Sequence, residues 1–144
     1  MRVFIENEAG SRRKNTYDEA TGALLKAEDV SAAYPFPYGF IIGTKADDAD
    51  AADCFVLTRQ SIASGAVVEC NPTGLLEQVE DGETDHKVLA LLPGESMAIA
   101  EAEPALRHFV SRVFAHVPGK TMHIGRLLGA EAAEAYLRAC RIAP

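Results

Sequence analysis

A change of hydrophobic period, roughly two thirds of the way along the chain, constrains its fold more than any other feature. From Pro104 onward, apolar residues fall at Leu106, Phe109, Val110, Val113, Phe114 and Val117. Spacings of three and four place those side chains on one face of a helix. Pro104 suits the first turn of such a helix, where its missing N–H costs least. Pro118-Gly119 predicts its end, and residues 130–142, "AEAAEAYLRACRI", read as a second helix. Upstream of Pro104 the pattern is short runs of β-branched, aromatic and aliphatic residues between turns. "RVFIE" (2–6), "YGFII" (38–42), "CFVLT" (54–58), "GAVVEC" (65–70), "GLLEQV" (74–79) and "KVLALL" (87–92) are strand candidates. Asp-Gly inside "EDGET" (80–84) marks a turn between two of them. Strands first and helices last predict an α+β domain with two C-terminal helices packed on a β-barrel. No repeat, low-complexity tract or linker divides the 144 residues, which suit one domain.

Composition narrows the function. At 48% apolar residues the chain can bury a real core. A formal net charge of -7 argues against non-specific nucleic-acid binding, which needs a cationic surface. It leaves anionic ligands open, because a bound metal inverts the local field. No apolar run approaches membrane-span length, so no membrane partner is expected. "MRVFIENEAG" turns polar too soon for a signal peptide. Cys54, Cys70 and Cys140 have no metal-ligand spacing and form no disulfide framework. Reduced thiols and a cytoplasmic location are the expectation. His86, His108, His116 and His123 show no ligand spacing and are given no role.

"TKADDADAAD" (44–53) crowds Asp47, Asp48, Asp50 and Asp53 among small residues. Short acidic runs are usually solvated loops. An EF-hand does not fit: with Asp48 first, Asp53 stands where that loop needs glycine, and Arg59 where it needs glutamate. What remains is Asp48-x-Asp50-x-x-Asp53 between two strands. Carboxylates on a tight loop can hold hard divalent cations, and two cations sharing a carboxylate can clamp a phosphoryl group. Glu80, Asp85 and Lys87 form a second charged set on a hairpin. "YPFPYG" (34–39) is a rigid aromatic turn.

Taken in order, these segments resemble the soluble, metal-dependent (family I) inorganic pyrophosphatases. That family carries Tyr-Pro-x-Asn-Tyr-Gly, then Asp-Gly-Asp-Pro-x-Asp, then Asp, four residues, Asp-x-Lys. Here they read Tyr34-Pro35-Phe36-Pro37-Tyr38-Gly39, Asp48-Ala49-Asp50-Ala51-Ala52-Asp53, and Glu80, four residues, Asp85-His86-Lys87. "KNTYDEATGAL" (14–24) and "VVECNPTGLLE" (67–77) are similar to further family segments, and Glu6 falls where the family has a strand glutamate. The resemblance implies a five-stranded OB-like barrel over one domain, residues 1–144. It implies Mg²⁺-dependent hydrolysis of pyrophosphate to two phosphates, and a homo-oligomer, trimeric or hexameric. It assigns Asp48, Asp53 and Asp85 to a first metal, with Asp53 bridging to a second. Asp50 becomes the general base near the attacking water and the second metal. Glu80 stands in for the aspartate that helps hold a substrate-borne metal. Lys14, Lys87 and Tyr38 would contact phosphate oxygens. Tyr34 and Glu6 accompany them, as packing and a strand-end charge.

The sequence departs from the family in the phosphate grip. The glutamate two residues after the family lysine is Thr16 here. The phosphate-gripping arginine falls at Lys26 counted from Tyr34, or at Glu28 counted from Gly22. Lysine replaces the charge but not the guanidinium fork. The turn asparagine is Pro37, and the glycine and proline of the aspartate motif are Ala49 and Ala51. A helical Tyr-Lys pair is replaced by Val113 and Phe114. The absence of two or three charge-assisted hydrogen bonds costs roughly two or more decades in rate. A slow enzyme, a changed small-phosphate substrate, or a metal-binding homologue without turnover are the readings this leaves.

Overall fold

The computed structural model describes residues 1–142. Its strands and helices are β1 (Arg2–Asn7), β2 (Arg13–Tyr17), β3 (Leu24–Asp29), β4 (Tyr38–Ile41), β5 (Asp53–Val56), β6 (Val67–Glu69), β7 (Asn71–Glu80), β8 (Glu83–Thr84), β9 (Lys87–Leu91), α1 (Ile99–Arg112), β10 (Met122–Gly129) and α2 (Ala130–Cys140). One sheet runs in the order β10-β7-β9-β5-β4-β1-β6, with β8 paired to β7. The five consecutive strands β7, β9, β5, β4 and β1 are the body of an OB-like sheet, and the two helices pack on it. β5 and β9 run parallel, and their neighbours on either side pair antiparallel.

The middle of the sheet explains its own sequence. Cys54 to Val56 and Val88 to Ala90 are all buried, so β5 and β9 read as unbroken apolar runs. Alternate side chains feed two cores. Phe55, Leu76 and Leu89 meet Leu106, Phe109 and Val110 of α1 and Val113 just past its end. Cys54, Val56, Leu75, Val88 and Ala90 meet Ala133, Leu137 and Cys140 of α2. The cysteines are free thiols inside or beside this packing, as expected.

Three elements escape the periodicity reading. β2 and β3 form a separate hairpin of mostly polar, partly exposed residues. Its loop is set by Asp18, which accepts the N–H groups of Ala20 and Thr21, both at 2.9 Å. β10 lies between the helices, where no strand was expected. Its alternation is broken at Gly125-Arg126 by an irregularity in the pairing with β7. α1 begins at Ile99, so Pro104 sits inside the helix and not in its first turn. Pro104 and Ala100 are both exposed, so water can take the carbonyl that proline leaves unpaired. The helix itself stops at Arg112, and isolated turns carry the chain on to Pro118. Asp81 and Gly82 both have positive φ (49° and 83°), which makes the Asp-Gly turn between β7 and β8 type I′. Among the described residues no helix is long and apolar enough to cross a membrane.

Gly39, inside β4, sets how closely that strand can approach β1. A Cβ added at Gly39 would lie 1.7 Å from the Phe4 carbonyl oxygen on β1. Backbone cannot yield that much without separating the two strands. Gly39→Ala is expected to destabilise the protein by about 3 kcal/mol or more, read from urea unfolding.

Candidate active site

One cleft of about 590 Å³ opens where β4, β5, β7 and β9 meet the β2–β3 hairpin and the end of α1. It gathers nearly every residue singled out from the sequence. Asp48, Asp50 and Asp53 line one side, with Glu80, Asp85 and Lys87 beside them. Glu6, Lys14, Tyr34 and Tyr38 also line it. Lys26 does not. It is exposed and ion-paired with Glu28 at 2.7 Å, so neither candidate for the arginine position faces the cleft.

Strand pairing does the assembling. In the parallel ladder Asp53 of β5 stands directly opposite Lys87 of β9. The Lys87 ammonium donates to Asp53 Oδ2 at 2.7 Å, Asp85 Oδ2 at 3.0 Å and the Tyr38 hydroxyl at 3.0 Å. Lys87 is 7% exposed. Burial would lower its pKa, but Asp53 and Asp85 outweigh burial and hold it above the usual lysine range. The Tyr38 hydroxyl accepts from Lys87 and so keeps its own proton to donate. An aromatic chain fixes that ring: Tyr38 lies 4.8 Å from Phe55 and 5.4 Å from Tyr34, and Tyr34 lies 4.5 Å from Phe109 of α1. The turn "YPFPYG" is thus tied to the helix through its rings.

The carboxylates are under electrostatic stress. Eight of them line the cleft (Glu6, Asp18, Glu19, Asp48, Asp50, Asp53, Glu80 and Asp85) against the lysines Lys14 and Lys87. Burial pushes Glu6 up to about 7, although its carboxylate accepts the Tyr17 N–H, and the Asp53 charge adds to the rise. Burial also pushes Asp85 up, more than Lys87 offsets. At Glu80 burial is outweighed by a hydrogen bond with Asp85 and by Lys120, so its carboxyl lies below the usual range. Hard oxygen donors in excess of positive charge suit a hard divalent cation. Among the described residues, however, no three carboxylate, imidazole or thiol groups converge closely enough to hold an ion. Lys87 occupies the centre of the set.

Four contacts were not foreseen. Glu19, in the β2–β3 loop, accepts the Ala51 N–H with both oxygens, at 3.2 and 3.1 Å. Ala51 follows Asp50, so the hairpin is fastened onto the aspartate loop. Proline at this position, as in the family motif, has no N–H to give. Ala49, where that motif has glycine, takes a left-handed φ of 71°. Lys120 pairs with Glu80 at 2.5 Å and lies 4.2 Å from the centre of the Phe114 ring, with Lys14 at 5.1 Å from the same ring. Long-range contacts of this kind leave no spacing signal. Thr16 lines the cleft where the family glutamate stands, and Val113, 4% exposed, belongs to the α1 core.

Removing the shared ammonium strands the groups around it. Lys87→Met is expected to destabilise the metal-free protein by about 3 kcal/mol, because two largely buried carboxylates lose their partner. Denaturant unfolding in chelator-treated buffer measures this.

The inorganic pyrophosphatase family model matches residues 3–142. An inorganic pyrophosphatase of Aquifex pyrophilus is 32% identical over 136 residues, covering 85% of this chain and 76% of that protein. One from Synechocystis sp. is 38% identical over 93 residues, 63% of this chain and 55% of that protein. The crystal structure of inorganic pyrophosphatase from Thermus thermophilus superposes with a TM-score of 0.87 at 28% identity, over 97% of this chain and 88% of that one.

Proposed function

This chain belongs to the inorganic pyrophosphatase family, and we propose that it hydrolyses pyrophosphate to two phosphates, slowly, with Mg²⁺ held by the cleft carboxylates. The observation that carries the reading is the convergence of Asp48, Asp50, Asp53, Asp85, Lys87 and Tyr38 on one cleft from three separate segments. Asp48, Asp53 and Asp85 would hold a first cation, and Asp53 and Asp50 a second. Glu80 would help with one carried by the substrate. The donor set fits Mg²⁺ in chemistry, being all oxygen and anionic, and its side chains would turn inward on binding. Bound Mg²⁺ supplies charge neutralisation for the phosphates and a more acidic water.

The protein's own groups do the rest. Asp50 is exposed to the cleft and free to take a proton from the attacking water. As that oxygen bonds to one phosphorus, the bridging P–O bond breaks and the other phosphate leaves. Lys87 and the Tyr38 hydroxyl, locked together, present a cation and a donor to phosphate oxygens. Lys14 adds charge from the hairpin. Their fixed positions favour charge that grows in the transition state. The rate is reduced because Val113 and Phe114 offer no hydrogen bond, and because Lys26 is turned out of the cleft. The active unit is a single domain over residues 1–144, forming a cytoplasmic homo-oligomer without nucleic-acid or membrane partners.

At micromolar protein, phosphate release from pyrophosphate is expected to require Mg²⁺ and to stop on chelation. Asp50→Asn is expected to lower it by about a hundredfold or more while the fold persists. Unchanged release in that variant removes Asp50 as the base, and no release by the folded parent sinks the enzyme reading. Phe114→Lys, which puts an ammonium on the cleft wall just past α1, is expected to raise kcat/KM roughly tenfold. Steady-state kinetics of the variant beside the parent decides this.

A further inference from the structure

Gln78 of β7 is 2% exposed, and its side-chain Oε1 has no hydrogen-bond partner among the described residues. Unpaired buried amides are rare, because a polar group stripped of water and given nothing in return is unfavourable. The backbone of the same residue is fully engaged. Its N–H donates to His86 Nδ1 at 3.0 Å, and its carbonyl accepts the Asp85 N–H at 2.9 Å. Only the side chain lacks a partner.

Its place on the strand is informative. Alternation puts Leu76, Gln78 and Glu80 on one face of β7. Leu76 is sealed in the core beneath α1, whereas Glu80 stands among the cleft carboxylates. Gln78 lies on the border and lines the cleft, as do Phe109 and Val113. A methionine or leucine would fill this position with no polar group to desolvate. An amide kept there points to a ligand that completes it.

We propose that Gln78 is a substrate-binding residue whose amide hydrogen-bonds a phosphate oxygen of pyrophosphate in the cleft; this rests on the diphosphatase reading above. Pyrophosphate oxygens accept hydrogen bonds, and a terminal amide carries two N–H donors beside its carbonyl. The unpaired atom is the carbonyl oxygen, an acceptor, so the amide has to make half a turn that puts its NH₂ where Oε1 stands before it donates to a phosphate oxygen. Being neutral, it adds a donor without adding another charge to a crowded site. It also donates from the sheet side of a cleft whose helix wall, at Val113 and Phe114, has no donor. A strand thereby supplies the hydrogen bond that this helix cannot make.

Stability and binding in the same variant test this, because the two move in opposite directions if the amide waits for a ligand. Gln78→Met keeps the side-chain length and removes the polar group, and Gln78→Leu is a second variant should Met pack badly. The denaturation midpoint is measured without ligand. Binding of methylenediphosphonate with Mg²⁺ is measured by calorimetry, and kcat and KM with pyrophosphate. The expected result is a higher midpoint, diphosphonate binding weakened about tenfold, and a rise in KM larger than any fall in kcat. A lower midpoint in both variants with unchanged binding makes Gln78 a structural residue and overturns the proposal. Unchanged binding with an unchanged or higher midpoint means that the amide meets only water, which overturns it too. Failure of the diphosphatase reading looks different: the unaltered protein then releases no phosphate, whatever residue stands at 78.

Discussion

Everything in the site depends on the hydrogen-bonded position of Lys87. Its ammonium is buried and shared by Asp53, Asp85 and the Tyr38 hydroxyl. A buried ammonium persists only where carboxylates surround it, and carboxylates this close persist only with a cation between them. The parallel pairing of β5 and β9 enforces the meeting, since it sets Asp53 and Lys87 opposite each other. Slipping either strand by one residue would turn its charged side chain to the opposite face of the sheet, away from its partner. The pairing that builds the two cores from β5 and β9 therefore also places the charged pair.

From this point the architecture divides its labour. α1 and α2 cover opposite faces of the same strands and exclude water from both cores. The cleft forms where the covering of α1 stops and the β2–β3 hairpin begins. Into that gap the sheet brings Glu80, Asp85 and Lys87, and the loop before β5 brings its aspartates. Burial raises Glu6 and Asp85, and the Asp53 charge adds to both, so the cleft holds more carboxylates than its two lysines balance. An incomplete charge balance and an incomplete hydrogen bond, at Gln78, lie in one cleft. Under the proposed function, cations would relieve the carboxylates, and the amide, once turned, would donate to phosphate oxygens.

The departures from the family pattern have a spatial logic. Val113 has joined the α1 core, so no polar group at that position faces substrate. Phe114 has become an aromatic surface with two ammonium groups over it, Lys14 and Lys120. Positive charge remains near this wall, although the helix no longer carries it. Ala51 has an N–H where the family motif has proline, and Glu19 has taken it. One side of the cleft keeps the family's aspartates at Asp48, Asp50, Asp53 and Asp85, while the wall at Val113 and Phe114 has positive charge beside it from Lys14 and Lys120 instead.

The sequence by itself determined the central strands, the two helices, the Asp-Gly turn and the set of charged residues that share a cleft. Those features are local: a hydrophobic period, a turn dipeptide, or a motif whose residues lie a few positions apart. It did not reveal β10, whose alternation fails at Gly125-Arg126, or β2 and β3, whose partly exposed strands need no apolar face. Nor did it reveal that Lys26 turns away to Glu28 while Lys120 reaches Glu80. Glu19 on Ala51 spans 32 residues, and Lys87 on Tyr38 spans 49. Contacts that distant depend on which strands pair and in what register, and only the tertiary structure decides that. The unpaired amide of Gln78 belongs to the same class. A glutamine in a strand is ordinary in one dimension, and becomes a binding group only when folding removes its water.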